Sequence, residues 1–147
     1  MFNRQLDVAP HLLSIFPNRY PMPIETILIV EDEQILREFL AETLKRQNLT
    51  ITTAFDGTQA LKILKKERFD LVLTDMKMAG ATGLEVLRYT KQLHPETLVI
   101  VMTAFGSIEN AVEAMRLGAL NYLLKPFSPD TIEAVIDKAN EHQSLIE

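Results

Sequence analysis

Cysteine is absent from the 147 residues of the chain. A disulfide framework, a thiolate nucleophile and a cysteine-ligated zinc site are therefore excluded, and with them redox function. Positive charge is also scarce: the formal net charge is -5, and no run of lysine and arginine offers a surface for a phosphate backbone. We expect no direct binding of nucleic acid by this chain alone.

Long apolar runs are missing as well. No stretch approaches the roughly 20 apolar residues that cross a bilayer, and the N-terminus lacks the charged-then-apolar layout of a secretory signal. The sequence therefore predicts a cytoplasmic protein without a membrane segment.

Proline is concentrated near the N-terminus, at positions 10, 17, 21 and 23, where it blocks a long helix or a central strand. We interpret residues 1–23 as an N-terminal extension outside the fold. The length of the remainder is typical of one compact domain, which we place at residues 24–143, with residues 144–147 as a tail or the start of a linker.

Short apolar runs alternate with helix-period segments from Ile24 onward. Most runs lack polar alternation, as in parallel strands covered on both faces, and the threonine-rich second run is typical of an edge strand. The five runs are Ile27–Val30, Ile51–Ala54, Leu71–Leu73, Leu98–Met102 and Tyr122–Leu124. This pattern predicts an α/β fold of the flavodoxin-like (βα)5 type, a doubly wound five-stranded parallel sheet in the order 2-1-3-4-5.

Apolar residues at helical spacing mark the segments between the runs. One such stripe consists of Ile108, Ala111, Val112 and Met115. The last helix has a clear start at Ser128-Pro129-Asp130, because serine caps, proline suits the first helical position and aspartate faces the positive end of the helix dipole.

Polar residues follow four of the five runs. They are Glu31 and Asp32, Asp75, Thr103, and Lys125. Ligands of doubly wound sheets bind at the carboxyl ends of the strands, and the first and third strands are neighbours in this order. We therefore expect the three carboxylates to converge in one pocket, although any one of them alone would be an ordinary solvated loop acid.

Three converging carboxylates need a counter-charge. Two unit charges about 4 Å apart repel by roughly 4 kcal/mol at an effective dielectric near 20. A ligand set of oxygens alone, with room for water, suits Mg²⁺.

Lysine and threonine in the same pocket suggest a further role. Alone, Lys125 is typical of a structural ion pair and Thr103 of a cap or turn. Together with a metal they can surround a transferring phosphoryl group, and Asp75 is then the candidate nucleophile.

Four ordered segments carry a family resemblance: Ile27–Glu33 (ILIVEDE), Leu73–Gly83 (LTDMKMAGATG), Val101–Gly106 (VMTAFG) and Tyr122–Phe127 (YLLKPF). The chain resembles the receiver domains of response regulators in bacterial two-component systems. Its segment from Met102 to Phe127 is similar to receivers of the nitrogen-regulation type, which often precede an ATPase and a DNA-binding domain.

The resemblance implies a signalling domain that catalyses only its own phosphorylation and dephosphorylation. It implies a sensor histidine kinase as phosphodonor, an output domain beyond the C-terminus and a homodimer through the fourth helix, fifth strand and fifth helix. The metal is held by Glu31, Asp32, Asp75 and the backbone carbonyl of Lys77, with Glu31 acting mainly through water.

The resemblance also assigns the remaining site residues. Asp75 is the phosphoacceptor, and Thr103 and Lys125 contact the phosphoryl group. Tyr122 reorients when Thr103 moves, so these two residues form the switch. The Lys125–Pro126 peptide bond is expected to be cis. Ala79 replaces a proline that is usual in the loop after the acceptor, which predicts a more flexible loop and an intact site.

There are three other interpretations of the site, and the residues argue against the first two. A haloacid-dehalogenase-type phosphatase needs a second acid two residues after the nucleophile, where this chain has Lys77. A nucleotide- or flavin-binding domain needs a glycine-rich turn after the first strand, where this chain has acids. A degenerate receiver that acts as a phosphorylation-independent interaction module is the alternative that the residues leave open.

Overall fold

The computed structural model describes residues 23–145. The expected extension at residues 1–23 therefore lies outside the described residues except for Pro23, as do the last two residues of the expected tail. The strands are β1 (Thr26–Val30), β2 (Thr50–Ala54), β3 (Leu71–Asp75), β4 (Leu98–Thr103) and β5 (Asn121–Leu124). The helices are α1 (Gln34–Lys45), α2 (Gly57–Lys66), α3 (Gly83–Leu93), α4 (Ile108–Arg116) and α5 (Pro129–Leu145).

The strands form one parallel sheet in the order β2-β1-β3-β4-β5. The predicted fold and strand order are thus confirmed, and the threonine-rich strand lies at an edge. In register, Val30 of β1 lies opposite Thr74 of β3, and Asp75 lies opposite Met102 of β4. This pairing brings the carboxyl ends of the three central strands to one edge.

Two hydrophobic layers cover the two faces of the sheet. α1 and α5 pack on one face through residues such as Leu40 and Ile136. α2, α3 and α4 pack on the other through residues such as Leu64 and Leu87. Neighbouring β1 residues alternate between the layers, with Ile29 in the first and Leu28 in the second. Both faces are therefore buried, which explains the nearly continuous apolar strands.

Side-chain caps define the starts of four helices at the carboxyl edge. Asp56 accepts a hydrogen bond from the Gln59 amide, and Ser107 and Ser128 cap α4 and α5 in the same way. Thr82 and Glu85 form a reciprocal capping box at α3. These caps satisfy amides that a helix start leaves free, so they hold the loops that surround this edge.

The apolar stripe of α4 does not face the core. Apolar residues at helical spacing usually pack inward, but Ile108 is 83% exposed and Val112 and Met115 are about half exposed. The buried residue of α4 is Ala114. Among the described residues, no helix has the length and apolar character that crossing a membrane requires.

Candidate functional site

The predicted site residues meet at the carboxyl edge of the sheet. Glu31 and Asp32 directly follow β1, Asp75 ends β3, Thr103 ends β4, and Lys125 directly follows β5. The parallel order of the sheet places these five positions side by side although they span most of the chain.

Three carboxylates form the centre of the site. One carboxylate oxygen each from Glu31, Asp32 and Asp75 lies within 4.8 Å of the others. Glu31 and Asp75 are only 1% and 5% exposed, whereas Asp32 faces solvent. A cation approaching from solvent would meet Asp32 first and two buried acids behind it.

Lys125 bridges the two buried acids. Its Nζ lies 2.8 Å from Oε1 of Glu31 and 2.9 Å from Oδ1 of Asp75. The Lys125–Pro126 peptide bond is cis, as the family resemblance implied. The two distances place the lysine inside the pocket, directly against the candidate phosphoacceptor.

Burial shifts the charge balance of the pocket. It raises the pKa of Glu31 above its ordinary value, with the nearby Asp75 charge adding to the rise, and Lys125 only partly opposes this. Burial likewise raises the pKa of Asp75. For Lys125 burial lowers the pKa, but its bonds to both acids outweigh burial and leave the pKa raised. The lysine is therefore charged, and a further positive charge in the pocket would stabilise the ionised carboxylates of Glu31 and Asp75.

Further bonds hold Glu31 in place. Its Oε2 accepts from the Glu33 amide at 3.0 Å, and its own amide donates to the Ala54 carbonyl at 3.1 Å. The Nη1 of Arg37, in α1, donates to the Glu31 carbonyl at 2.8 Å. Sequence reasoning missed Arg37, because a bond to a backbone carbonyl leaves no motif.

A close approach of backbones shapes the other side of the site. Gly83 begins α3, and its amide donates to the Met76 carbonyl at 2.9 Å. A Cβ at Gly83 would lie 2.2 Å from the Asp75 carbonyl oxygen. The start of α3 therefore lies directly against the backbone of the phosphoacceptor candidate, which only glycine permits.

Thr103 and two flanking residues line the rim. Thr103 is buried, and its Oγ1 accepts from the Phe105 amide at 3.1 Å. Phe105 is 72% exposed, and Nζ of Lys77 lies 5.5 Å from the centroid of its ring. The side chains of Lys77 and Phe105 thus join the loops that follow β3 and β4.

Tyr122 lies on β5 beside the same loop. Its Oη is buried and has no hydrogen-bond partner within the described part of the chain. A Cβ built on Gly106 would lie 3.7 Å from the Tyr122 ring, so the ring borders the β4–α4 loop. The position suits the predicted switch, and the movement itself stays a prediction.

Taken together, the donor set fits a hard divalent cation. The acids offer three oxygens at close quarters, and no cysteine is present to favour a softer metal. Burial raises the pKa of both buried acids in spite of Lys125, so a further positive charge beside them would favour their ionised forms. The backbone carbonyl of Lys77 stays a predicted ligand.

The family model of the response regulator receiver domain matches residues 27–137, which is more than half of the chain. The chain therefore belongs to the response regulator receiver domain family, as its motifs predicted.

Two curated relatives differ in how much of their length the chain matches. Transcriptional regulatory protein ZraR of Escherichia coli is 39% identical over 121 residues, covering 82% of this chain and 27% of ZraR. Sporulation initiation phosphotransferase F of Bacillus subtilis is 41% identical over 114 residues, covering 78% of this chain and 92% of that protein. The chain thus spans about a quarter of the one relative and nearly all of the other.

Solved structures support the same family assignment. A receiver domain from Clostridium thermocellum superimposes with a TM-score of 0.77 at 31% identity, covering 84% of this chain and all of that one. NtrX from Brucella abortus superimposes with a TM-score of 0.76 at 35% identity, and the match covers 84% of this chain and 28% of NtrX. With ZraR, it confirms the likeness to the nitrogen-regulation type. A third structure is a Burkholderia pseudomallei response regulator with a phosphorylated aspartic acid and a calcium ion. It superimposes with a TM-score of 0.72 at 30% identity, and the match covers 82% of this chain and 71% of that one.

Proposed function

We propose that the chain is a working phosphoacceptor: a sensor histidine kinase transfers a phosphoryl group to Asp75 in a Mg²⁺-dependent reaction. The observation that carries this proposal is the pocket itself. Carboxylate oxygens of Glu31, Asp32 and Asp75 lie within 4.8 Å of one another, and Nζ of Lys125 lies 2.9 Å from Asp75. The phosphorylated aspartic acid of the Burkholderia relative adds support.

Mg²⁺ would be held by Asp32 and Asp75 directly, by Glu31 mainly through water, and by the carbonyl of Lys77. When bound, it supplies positive charge that neutralises the acids and the phosphoryl oxygens. The calcium ion of the Burkholderia relative is a similarly hard cation, which supports an oxygen-ligand site.

Asp75, Lys125 and Thr103 have different roles in phosphotransfer. A carboxylate oxygen of Asp75 attacks phosphorus, forming the oxygen–phosphorus bond while the bond from phosphorus to the donor imidazole nitrogen breaks. Lys125 is already in contact with Asp75, so its ammonium is in place to bind a phosphoryl oxygen. The Thr103 hydroxyl accepts one backbone bond and retains its proton for another phosphoryl oxygen.

Exposed apolar side chains around the pocket suit a protein donor. Ile35, Phe55 and Phe105 are 80%, 54% and 72% exposed. Phe55 and Phe105 lie just beyond β2 and β4, and Ile35 lies in the first turn of α1, so all three are near the carboxyl edge. Such residues favour docking of a protein surface over a free small molecule. This supports a histidine kinase as partner, and as in the receiver family generally we place the reaction in the cytoplasm.

The output is a change in the face formed by α4, β5 and α5. Shifting an equilibrium from 1:99 to 99:1 needs about 5.5 kcal/mol. Two or three charge-assisted hydrogen bonds to the phosphoryl group, each worth about 1.5–3 kcal/mol, together give about 3–9 kcal/mol, a range that includes this amount. Thr103 and Tyr122 would relay the change, and the exposed stripe of α4 offers apolar surface for a homodimer.

Control of transcription through an output domain is part of the proposal. It is supported by ZraR, of whose length this chain matches about a quarter. The near-complete coverage of the sporulation phosphotransferase supports the other arrangement, a receiver that passes its phosphoryl group onward.

Intact mass spectrometry with a small phosphodonor tests the function. We expect one phosphoryl group per chain with Mg²⁺, none after chelation, and none in Asp75→Asn, because an amide is not a nucleophile of this kind. Asp32→Asn should weaken Mg²⁺ binding. No incorporation into the wild type under any condition would favour an interaction module without phosphorylation.

A further inference from the structure

Arg37 ties helix α1 to the loop that carries two of the pocket acids. Its Nη1 donates to the carbonyl oxygen of Glu31 at 2.8 Å, and its own amide donates to the Glu33 carbonyl at 2.9 Å. The side chain therefore reaches back from α1 to the residue just before Asp32.

The other bonds of this loop act on Glu31 and Glu33. Glu33 occupies the N-cap position of α1 without a side-chain cap bond, and the first turn contains no acid. Within residues 23–145, no hydrogen bond orients the carboxylate of Asp32. The backbone position of Asp32 therefore sets which places its carboxylate can reach.

A peptide plane transmits the restraint. The Glu31 carbonyl and the Asp32 amide belong to one planar unit, so a bond that fixes this oxygen also fixes the Cα of Asp32. Partners of this kind, one step removed from a metal, typically change its affinity by about 10–100-fold when they are removed.

We propose that Arg37 is a positioning residue for the divalent cation, which holds the Glu31–Asp32 peptide so that Asp32 faces the ion. This inference rests on the proposed function. Arg37 does not touch the cation or the phosphoryl group.

The charge of Arg37 acts in the opposite direction. A guanidinium is always protonated and repels a nearby cation. If Arg37 acted by charge alone, its removal would tighten Mg²⁺ binding, whereas a positioning role predicts weaker binding. The two explanations therefore differ in sign.

Calorimetric titration of the whole chain with MgCl₂ alone separates them. We expect Arg37→Met to weaken Mg²⁺ binding by about tenfold or more, and Arg37→Lys to keep most of the affinity, because an ammonium can donate to the same carbonyl. Arg46→Met is the matched control. Arg46 is exposed at the C-cap of α1, so this change removes the same charge far from the pocket.

Circular dichroism and urea unfolding establish that each variant is folded during the titration. Arg37→Gln replaces Arg37→Met if the latter fails to fold, since its shorter amide also removes the charge and does not span the gap. Unchanged or tighter Mg²⁺ binding in the neutral variant would overturn the inference, and so would equal weakening in Arg46→Met. Absence of Mg²⁺ binding by the wild type would instead overturn the proposed function.

Discussion

Replacing Gly83 with alanine should damage the site through the backbone. The added Cβ would lie 2.2 Å from the carbonyl oxygen of Asp75 and 2.8 Å from Cα of Met76. Both neighbours are backbone atoms, so no side-chain rotation relieves the overlap. Either the start of α3 or the end of β3 must move.

The expected cost follows from these contacts. Overpacking of this kind costs about 1–3 kcal/mol, and a weakened bond from the Gly83 amide to the Met76 carbonyl adds about 1 kcal/mol. The better helix propensity of alanine returns up to about 1 kcal/mol. We expect a net loss of about 1–3 kcal/mol in the free energy of unfolding. Because Asp75 itself is displaced, its phosphorylation should slow by about tenfold or more.

Urea unfolding and phosphorylation kinetics measure the two effects separately. Gly118→Ala is the matched control: Gly118 has a φ of 104°, and a Cβ added there would lie 3.4 Å or more from the atoms of Lys91. Gly118 precedes the start of β5, whereas Asp75 lies at the carboxyl end of β3. This control variant should lose about 1–2 kcal/mol through backbone strain and keep its phosphorylation rate. Wild-type stability and rate in Gly83→Ala would refute the steric account. Equal slowing in Gly118→Ala would show that the rate follows global stability instead.

Three further predictions concern the pocket and the opposite edge. Lys125→Met should abolish Asp75 phosphorylation yet leave Mg²⁺ binding at least as tight, because a competing cation is gone; weaker binding by calorimetry would contradict this. Phe105→Ala and Lys77→Asn break the pair that covers the rim, and each should shorten the lifetime of phospho-Asp75 at saturating Mg²⁺. If the lifetime of phospho-Asp75 is unchanged in both variants, the metal and Lys125 alone govern its hydrolysis. Asp70→Ala removes an acceptor of three hydrogen bonds at the start of β1 and should cost about 2 kcal/mol in urea unfolding, and a slower phosphorylation would argue against a purely structural role.

Much of the fold was readable in the sequence because the apolar runs and the residues after them carry strong local signals. Continuous runs such as Leu98–Met102 identified buried parallel strands, and the strand order then implied that Glu31 and Asp75 converge. Capping residues such as Ser128 marked helix starts correctly. These features depend on neighbours in the chain or on one topological rule.

Other features depend on contacts that no pattern records. Periodicity shows that α4 has an apolar stripe but not which way it faces, and Ile108 in fact points to solvent. The hydrogen bond from Arg37 ends on a backbone carbonyl, which every residue type has, so no residue pattern in the sequence predicts it. The overlap at Gly83 arises from the three-dimensional approach of two backbones.

Locating the phosphoryl group tests the central claim most directly. Borohydride reduces an acyl phosphate on aspartate to homoserine, which peptide mass spectrometry identifies at a single position. After treatment with a phosphodonor and Mg²⁺, we predict homoserine at position 75 and at no other acid of the pocket. Homoserine at position 32, the corresponding five-carbon amino alcohol 2-amino-5-hydroxypentanoic acid at position 31, or full incorporation with Asp75 unmodified, would contradict the assignment of Asp75 as the phosphoacceptor.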